Sequence, residues 1–448
     1  MAKLFGTDGI RGEAGRVLTV ELAMKLGQAA GRVFLDANEA ESATVVIGRD
    51  SRISGQMLEA ALSAGLTSVG VQVISVGLLP TPAVAYLVRK YHAMAGAVIS
   101  ASHNPFEDNG IKFFNHTGHK LSDAQEAAIE VYLQSDAPIE GVNGDNIGRI
   151  VEDPVGILHY QDFLQQMITC QNTSYHLVID CANGSASPIA ETIFKEAGFK
   201  VTMISHQPDG VNINVACGST HPERLQEMVR QEGADIGLAF DGDADRFLAV
   251  DEFGQLVDGD HLMAIYAIAL KNENRLVNNQ LVATVMSNLG LRIAMENAGI
   301  EIVETNVGDR YVNEALQATG AIIGGEQSGH IIFRDYNSTG DGLISAIMLL
   351  NIMCHTNKPL STLAKEMMSL PQVLINVPVR QKEGWEEQTA IQQAIAEVNA
   401  ALGRTGRVLV RASGTENLLR VMVEGEEQET INQMAENIAD TVRNVIGK

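Results

Sequence analysis

The chain of 448 residues is poor in aromatic side chains and in positive charge. Only 5% of its residues are aromatic, so a surface that stacks nucleic-acid bases is not expected. Its 32 Lys and Arg residues stand against 55 Asp and Glu, a formal net charge of −23. Such a surface repels nucleic acids and anionic membranes, and we expect neither as a partner. A phosphate group would therefore need a local cluster of cations and backbone amides.

The sequence also lacks CxxC motifs and long apolar runs. Its four cysteines, at positions 170, 181, 217 and 354, form no CxxC pair, which predicts reduced thiols in an intracellular protein. The opening MAKLFGTDGIRG has no apolar stretch of signal-peptide length. The longest apolar runs, His261–Lys271 and Gly342–Cys354, fall short of the roughly 18 residues that span a membrane and predict buried helices. We expect a soluble, cytoplasmic protein.

Short β-branched runs alternate with amphipathic helical patterns, which is typical of α/β folds. We predict fold class α/β, with three similar mixed α/β domains and a smaller C-terminal α+β domain around a central cleft. In each of the first three, an apolar strand ends in a polar loop, where ligands collect in open α/β sheets. The predicted domain bounds are 1–154, 155–256, 257–370 and 371–448.

Three carboxylates at alternate positions, Asp241, Asp243 and Asp245, follow one of these strands. They would repel one another without a cation, and hard divalent cations take several oxygen ligands, so the motif predicts a Mg²⁺ site. An EF-hand calcium loop is a rival interpretation, because the three aspartates and Glu252 occupy its first, third, fifth and twelfth places. However, Arg246 occupies the sixth place, which needs glycine, and both flanks are predicted strands, so we reject an EF-hand. A solvated acidic turn is the alternative.

The motif SASHNP places Ser102 after the predicted strand Gly96–Ile99. A hydrolase triad fits poorly, because the adjacent Ser102 and His103 cannot readily reach each other and no GxSxG elbow surrounds them. A phosphate carrier needs an exposed hydroxyl, nearby cations and a metal. Lys112 and the aspartate cluster could supply the last two. An ordinary turn serine is the alternative.

Two further motifs have side chains suited to a sugar phosphate. The motif GEQSGH carries Glu326, Ser328 and His330, a mixture of donors and acceptors that suits sugar hydroxyls and amines, although an ordinary turn remains open. In RASGTENLLR, Arg411 and Arg420 bracket a Ser-Gly-Thr turn. Guanidinium groups bind phosphate bidentately and such a turn exposes amides to it, while a sheet-surface role for Arg420 is the alternative.

Gly-flanked arginines also occur near the N-terminus, in GTDGIRG and GRDSR. Arg11, Arg49 and Arg52 could each face phosphate. For Arg49 and Arg52 we favour ion pairs within the fold.

Taken in order, GTDGIRG, SASHNP, DGDADR, GEQSGH and RASGTENLLR resemble the α-D-phosphohexomutase family along essentially the whole chain. The resemblance implies a phosphosugar mutase that acts through a phosphoserine and a bisphosphate intermediate. Gln327 stands where glucose and mannose mutases commonly have Met, and VMSN at 285–288 lacks a lysine common in those relatives. Both differences favour interconversion of glucosamine 6-phosphate and glucosamine 1-phosphate, which would feed UDP-N-acetylglucosamine and cell-wall precursor synthesis. A phosphoglucomutase or phosphomannomutase and a non-catalytic sugar-phosphate sensor are the alternatives.

The resemblance also implies site roles. By these roles the four predicted domains are, in order, a phosphoserine domain, a metal-binding domain, a sugar-recognition domain and a phosphate-binding domain. Ser102 would carry the phosphate and, with Asp241, Asp243 and Asp245, hold one Mg²⁺. Arg11, Lys112 and His330 would surround the transferring group. A homodimer would fit the resemblance, and a kinase or a sugar bisphosphate would prime Ser102. The implied substrate contacts are Arg246, Gly308, Asp309, Glu326, Ser328, Arg411, Ser413, Gly414, Thr415 and Arg420.

Overall fold

The computed structural model describes residues 4–6, 8–37, 42–135, 137–170, 174–403, 405–413 and 417–448. The polypeptide forms two compact units. The first comprises Met1–Met286 and Ile300–Glu366, and the second comprises Ser287–Gly299 and Met367–Lys448. Among the described residues, no helix combines the length and apolar character needed to cross a bilayer.

The first unit begins with a six-stranded mixed sheet in the order β1-β5-β4-β2-β3-β6. Strands β2, β3, β4 and β6 run parallel, whereas β5 pairs antiparallel with both β4 and β1. The strands are β1 (Ile10–Glu13), β2 (Ser42–Arg49), β3 (Gln72–Leu78), β4 (Ala93–Ile99), β5 (Asp108–Asn115) and β6 (Ile150–Glu152). The helices are α1 (Val20–Ala37), α2 (Gly55–Ser68), α3 (Thr81–Lys90) and α4 (Asp123–Gln134).

A second sheet of the same unit has the order β11-β10-β9-β7-β8. Its central strands β7 and β9 are buried along their whole length, as near-continuous apolar runs require. The strands are β7 (His176–Asp180), β8 (Lys200–Ile204), β9 (Ile236–Phe240), β10 (Phe247–Asp251) and β11 (Leu256–Val257). The helices are α5 (Gly156–Met167), α6 (Ala190–Glu196) and α7 (Glu223–Glu232).

A third sheet has the order β13-β12-β14-β15, with β12, β13 and β14 parallel and β15 antiparallel. The run predicted as a buried helix at Gly342–Cys354 is α11, whose residues are buried on every side from Gly342 to Met353. The strands are β12 (Gln280–Thr284), β13 (Glu301–Thr305), β14 (Ile323–Gly325) and β15 (Ile331–Phe333). The helices are α8 (Gly259–Asn272), α9 (Leu289–Ala298, which belongs to the second unit), α10 (Asp309–Thr319), α11 (Gly342–Thr356) and α12 (Leu360–Leu363).

The rest of the second unit is an antiparallel sheet in the order β16-β18-β17 with two helices. Alternate residues of β18 pack against a stripe on α14 that recurs at helical spacing, which gives this unit its own core. The elements are β16 (Gln372–Pro378), α13 (Thr389–Leu402), β17 (Arg407–Ala412), β18 (Leu418–Glu424) and α14 (Gln428–Ile446). The predicted α/β fold class with a small α+β C-terminal part is confirmed.

One prediction about the cysteines is wrong. Cys170 and Cys354 form a disulfide, with Cα atoms 5.4 Å apart across 184 residues of chain. The pairing follows from packing, because Asn351 on α11 accepts the N–H of Cys170 and donates to the carbonyl of Met167 at the end of α5. The other two cysteines are free and buried, as expected.

Helices α1 and α2 cross closely at two glycines. A Cβ atom on Gly65 would overlap the carbonyl oxygen of Met24, and one on Gly27 would overlap the carbonyl of Leu62. The neighbouring atoms are backbone, so they cannot move aside cheaply. The crossing therefore requires glycine.

We expect Gly65→Ala to lower the free energy of unfolding by about 1–3 kcal/mol through overpacking, despite the ~1 kcal/mol by which alanine favours a helix. Urea denaturation would measure the change. Ala64→Ser, on the exposed side of the same helix, is the control and should change stability by less than about 0.5 kcal/mol. A Gly65→Ala protein as stable as the parent would contradict the close crossing.

Candidate active site

Ser102 lies just beyond the carboxyl end of β4, in a left-handed backbone conformation with φ of 51°. Its hydroxyl donates a hydrogen bond of 2.6 Å to Oδ2 of Asp241, which is 139 residues away in sequence. The sequence predicted an exposed hydroxyl, and this is wrong: the residue is 2% exposed. The hydroxyl is covered because the aspartate turn of the second sheet lies directly against it.

The aspartate cluster occupies the turn between the buried antiparallel strands β9 and β10. One carboxylate oxygen of each of Asp241, Asp243 and Asp245 lies within 4.8 Å of the others, and all three residues are buried. Within the described residues, Oδ1 of Asp243 and Oδ1 of Asp245 have no hydrogen-bond partner. Buried carboxylate oxygens rarely stay unsatisfied, and oxygen is the ligand that hard cations prefer. The cluster therefore fits a metal ion.

The environment separates the acidities of two of these carboxyl groups. Burial, together with the charges of Asp245 and Asp243, raises the pKa of Asp241 well above its usual range. Burial raises the pKa of Asp245, but the charges of His330 and Lys112 outweigh burial and lower the pKa below its usual range. The protein cations thus offset burial at Asp245 but not at Asp241.

Lys112 on β5 reaches the cluster because β4 and β5 pair with Lys112 opposite Val98. Its Nζ lies 2.8 Å from Oδ2 of Asp243 and 3.7 Å from carboxylate oxygens of both Asp8 and Asp245. Burial would lower the pKa of Lys112, but these three carboxylates outweigh it and raise the pKa. The ammonium group is therefore held charged inside the protein.

His330, in the turn between β14 and β15, also faces the cluster. Its Nδ1 lies 3.6 Å from Asp245 and its Nε2 lies 3.7 Å from Asp309. Burial opposes the charged form, but the carboxylates of Asp245 and Asp309 raise the pKa of His330 to about 9. The two carboxylates thus favour the protonated form of the imidazole, while Nε2 is also the acceptor for the N–H of Gly340 at 3.2 Å.

Two predicted arginines lie near the serine as well. Arg11 on β1 pairs with Asp8, and the backbone N–H of the half-buried Arg246 donates to Oδ1 of Asp241 at 3.2 Å. Burial and the charges of Arg246 and Arg11 lower the pKa of His103 to about 4. His103 is therefore neutral, while the arginines beside it add positive charge. The prediction that Ser102 and His103 cannot readily reach each other is wrong, because Nδ1 of His103 lies 3.3 Å from the Ser102 hydroxyl.

The predicted sugar-binding motif forms the β14–β15 turn, in which the N–H of Glu326 donates to the carbonyl of His330 and the N–H of Gly329 donates to the carbonyl of Glu326. Oε1 of Glu326 accepts the N–H of Gly308 at 3.0 Å, so the structure brings the predicted substrate contact Gly308 next to the GEQSGH motif. Ser328 lies in the same turn. The amide of Gln327 donates to Asp258 at 3.3 Å.

In the second unit, Arg411 on β17 lies directly opposite Arg420 on β18. Burial and the charge of Arg420 lower the pKa of Arg411, and Nε of Arg420 is buried without a hydrogen-bond partner in the part of the chain that is described. Like charges at opposed positions destabilise a sheet, so this pair fits an anion. Ser413 is buried and its N–H bonds to the carbonyl of Leu418. Gly414 and Thr415 lie outside the described residues.

The ion-pair interpretation of the GRDSR arginines is confirmed. Arg49 lies 2.9 Å from Glu59, and Arg52 lies 2.8 Å from Asp50. All four side chains are largely or fully buried.

Sequence reasoning missed two residues around the site. The hydroxyl of Thr81, at the start of α3, donates to Oδ2 of Asp243 at 2.6 Å. Lys120 bridges Asp8 and Asp309, at 2.5 Å from the latter. A Thr-Pro step that opens a helix was a weak signal for Thr81, whereas nothing in the local sequence marks Lys120.

We expect chelator-treated protein to gain thermal stability when a divalent cation is added, by about 2.7 kcal/mol at a hundred times the dissociation constant. Differential scanning calorimetry with Mg²⁺, Mn²⁺ and Ca²⁺ would measure it. Asp243→Asn should lose most of the gain, while Asp145→Asn, on an exposed segment, should keep it. An equal gain in Asp243→Asn and the parent would place the ion elsewhere.

Comparison with known proteins agrees with this arrangement. Four models of the phosphoglucomutase/phosphomannomutase family match in order: alpha/beta/alpha domain I at residues 2–139, domain II at 159–254, domain III at 258–370 and the C-terminal domain at 374–441. Phosphoglucosamine mutase of Desulforamulus reducens is 52% identical over 448 residues, covering 99% of this chain and 100% of that one. The enzyme of the same name from Carboxydothermus hydrogenoformans is 52% identical over 450 residues, covering 100% of both.

Solved structures show the same architecture. A phosphoglucomutase/phosphomannomutase family protein from Burkholderia thailandensis superposes with a TM-score of 0.83 at 25% identity, covering 99% of this chain and 97% of that one. N-acetylphosphoglucosamine mutase of Aspergillus fumigatus, solved with GlcNAc-6P and magnesium, has a TM-score of 0.70 at 18% identity, covering 99% and 97%. At that identity the likeness concerns the fold alone. From the four matched domains and the full-length identity to curated relatives, the chain belongs to the phosphoglucomutase/phosphomannomutase family and is an isomerase of the phosphohexomutase type.

Proposed function

We propose that the chain interconverts glucosamine 6-phosphate and glucosamine 1-phosphate through phosphorylated Ser102 and a sugar bisphosphate. The observation that carries the proposal is the 2.6 Å contact between the Ser102 hydroxyl and the aspartate cluster. The hydroxyl donates to a turn of three carboxylates that Lys112 and His330 also contact, and this setting suits phosphoryl transfer better than that of an ordinary turn serine. The choice of amino sugar rests on the name of the curated relatives and on Gln327.

In this proposal, Asp241 orients Ser102 by accepting the hydrogen bond of its hydroxyl. Lys112, Arg11 and His330 supply positive charge where the transferring phosphate gathers negative charge, which is the main task of the protein in phosphoryl transfer. We assign His330 to give a proton to the departing sugar oxygen and to take it back in the reverse step, because the carboxylates of Asp245 and Asp309 favour its protonated form.

We assign the metal as Mg²⁺, held by Asp241, Asp243, Asp245 and phosphorylated Ser102. The unsatisfied oxygens of Asp243 and Asp245 support this ligand set. When bound, the ion neutralises charge on the phosphoryl group. Arg246 remains a predicted substrate contact beside these ligands.

We assign the opposed pair Arg411 and Arg420, with Ser413, to the phosphate that is not being transferred. The pair supports this role because an anion would relieve the repulsion between its two guanidinium groups. Gly414 and Thr415 remain predicted partners of that phosphate. We assign Glu326 and Ser328 to sugar hydroxyls, and Gly308 and Asp309 to phosphate contacts.

Several expectations accompany this proposal and stay predictions. They are cytoplasmic location, a homodimer, priming of Ser102 by a kinase or a sugar bisphosphate, and supply of UDP-N-acetylglucosamine and cell-wall precursors. The four domain bounds derived from the sequence stay predictions as well.

We expect Ser102→Ala to lower kcat by at least about 10³-fold, since it removes the atom that accepts phosphate. The variant should stay folded, because only one hydroxyl is lost. A coupled assay on glucosamine 6-phosphate and intact-mass detection of one phosphate on the parent enzyme would measure this. Ser75→Ala, which removes a hydroxyl bound to Glu59 instead, is the control. Full turnover by folded Ser102→Ala would remove the serine from the mechanism.

We expect Arg420→Gln to raise the KM for glucosamine 6-phosphate about 10- to 100-fold, the loss of a charge-assisted hydrogen bond worth about 1.5–3 kcal/mol. Steady-state kinetics would show it. Arg443→Gln, which breaks a surface pair with Glu436 and Asp440, should leave KM unchanged. An unchanged KM in Arg420→Gln would end the phosphate assignment. Parallel assays with glucose and mannose phosphates would test the preference for an amino sugar.

A further inference from the structure

The loop that carries Ser102, residues 102–108 and called here the serine loop, is wrapped around one buried guanidinium group. Arg52 is 1% exposed. Its Nη2 donates to the carbonyl oxygens of Ser102 and Asn104, both at 2.9 Å. Its Nη1 donates to the carbonyls of Asp108, at 3.0 Å, and of Pro105. Four carbonyl groups of a short irregular segment therefore converge on a single side chain.

The remaining N–H of the Arg52 guanidinium extends the same network to the other side of Ser102. Nε of Arg52 donates to Oδ2 of Asp50 at 2.8 Å. That oxygen also accepts the hydroxyl of Ser100 at 2.6 Å, and Ser100 Oγ in turn accepts the N–H of Ser102 at 2.9 Å. The backbone of Ser102 is thus fixed at both its N–H and its carbonyl, which holds it at a φ of 51° that residues other than glycine seldom adopt.

A second donor reaches the same two carbonyls from another part of the chain. Nδ2 of Asn214 donates to the carbonyl of Ser102 at 2.9 Å and to that of Asn104 at 3.1 Å. Asn214 is buried and lies between β8 and β9, in the domain that carries the aspartate cluster. The serine loop is therefore hydrogen-bonded both to residues of the first sheet's domain and to the domain of the second sheet, whose strand β9 leads into Asp241.

We propose that Arg52 and Asn214 are positioning residues for phosphoryl transfer, which keep the Ser102 oxygen in line with the aspartate cluster without touching substrate. This inference rests on the proposed function. A displacement of about 1 Å in a reacting group can cost on the order of a hundredfold in rate. The donors act on backbone oxygens, so their loss would move the serine while leaving the substrate contacts in place.

The nearby Arg49 provides a matched comparison. It is also largely buried and paired with an acid, but its partner Glu59 lies on α2 and accepts a further bond from Ser75, away from the serine loop. Arg52→Lys replaces five N–H donors by three on one atom, so at least two bonds of the network must be lost. Arg49→Lys is an equal chemical change beside it.

We expect Arg52→Lys to lower kcat about 10- to 100-fold while the KM for glucosamine 6-phosphate changes less than about threefold. The single-turnover rate of Ser102 phosphorylation by glucosamine 1,6-bisphosphate should fall by the same factor as kcat. Amide hydrogen exchange of residues 100–108, measured in metal-free protein, should become faster. Arg49→Lys should leave all three quantities near those of the parent.

If the Arg52→Lys protein does not fold, Asn214→Gly tests the proposed positioning role instead. Asn214 has a φ of 60°, which glycine adopts freely, so this change removes the donor without straining the backbone. Asn357→Gly, at a φ of 51° on an exposed helix end, is its control. Asn214→Gly should lower the phosphorylation rate and kcat, and Asn357→Gly should not.

The outcomes separate the two proposals. If the parent enzyme accepts no phosphate on Ser102, the proposed function fails, and this inference falls with it. If the parent is phosphorylated and a folded Arg52→Lys or Asn214→Gly protein transfers phosphate at the parental rate, the positioning role alone is overturned. A lower melting temperature with an unchanged rate per folded molecule would likewise reduce both residues to a structural role.

Discussion

The site depends on the compensation of three carboxylates that are buried in one turn. Asp241, Asp243 and Asp245 lie between two apolar strands, where uncompensated charge is very costly. Lys112 comes from the first sheet of the first unit and His330 from the third, and both point their charge at this turn of the second sheet. The need to neutralise one acidic turn therefore joins all three sheets at one place.

Strand direction explains why these groups can meet. Ser102 follows β4 and the aspartates follow β9, while His330 closes the turn after β14; each strand is parallel to a neighbour in its own sheet. In such sheets the carboxyl ends of the strands carry the loops that bind ligands. Lys112 is the exception. It lies within β5, and the antiparallel register with β4 brings it to the same edge. Sheet topology thus explains why these four groups lie at one place, and the charges of their side chains determine what that place can bind.

The sequence predicted features that are encoded in a short stretch of residues. It did not predict features that depend on contacts between distant parts of the chain. Alternating carboxylates between apolar runs mark the aspartate turn, and helical periodicity marks α14. The burial of Ser102 could not be predicted, because the groups that cover it lie more than a hundred residues away. Lys120 has no motif around it, and the Cys170–Cys354 bond joins the segment after α5 to the last turn of α11, 184 residues apart. Local patterns do not report such contacts.

In this strongly acidic chain, the hydrogen-bond and ion-pair partners of an arginine indicate whether it has a structural role or could bind a ligand. Every N–H of the Arg52 guanidinium is directed at protein oxygens, so this group has no donor left for an incoming phosphate. Arg411 and Arg420 instead oppose each other in register, an arrangement that costs free energy until an anion lies between them. Among the described residues neither of the two is paired with a carboxylate, although acidic residues far outnumber basic ones in the sequence. The proposed phosphate site is therefore supported more by the opposition of these two arginines than by the presence of arginine itself.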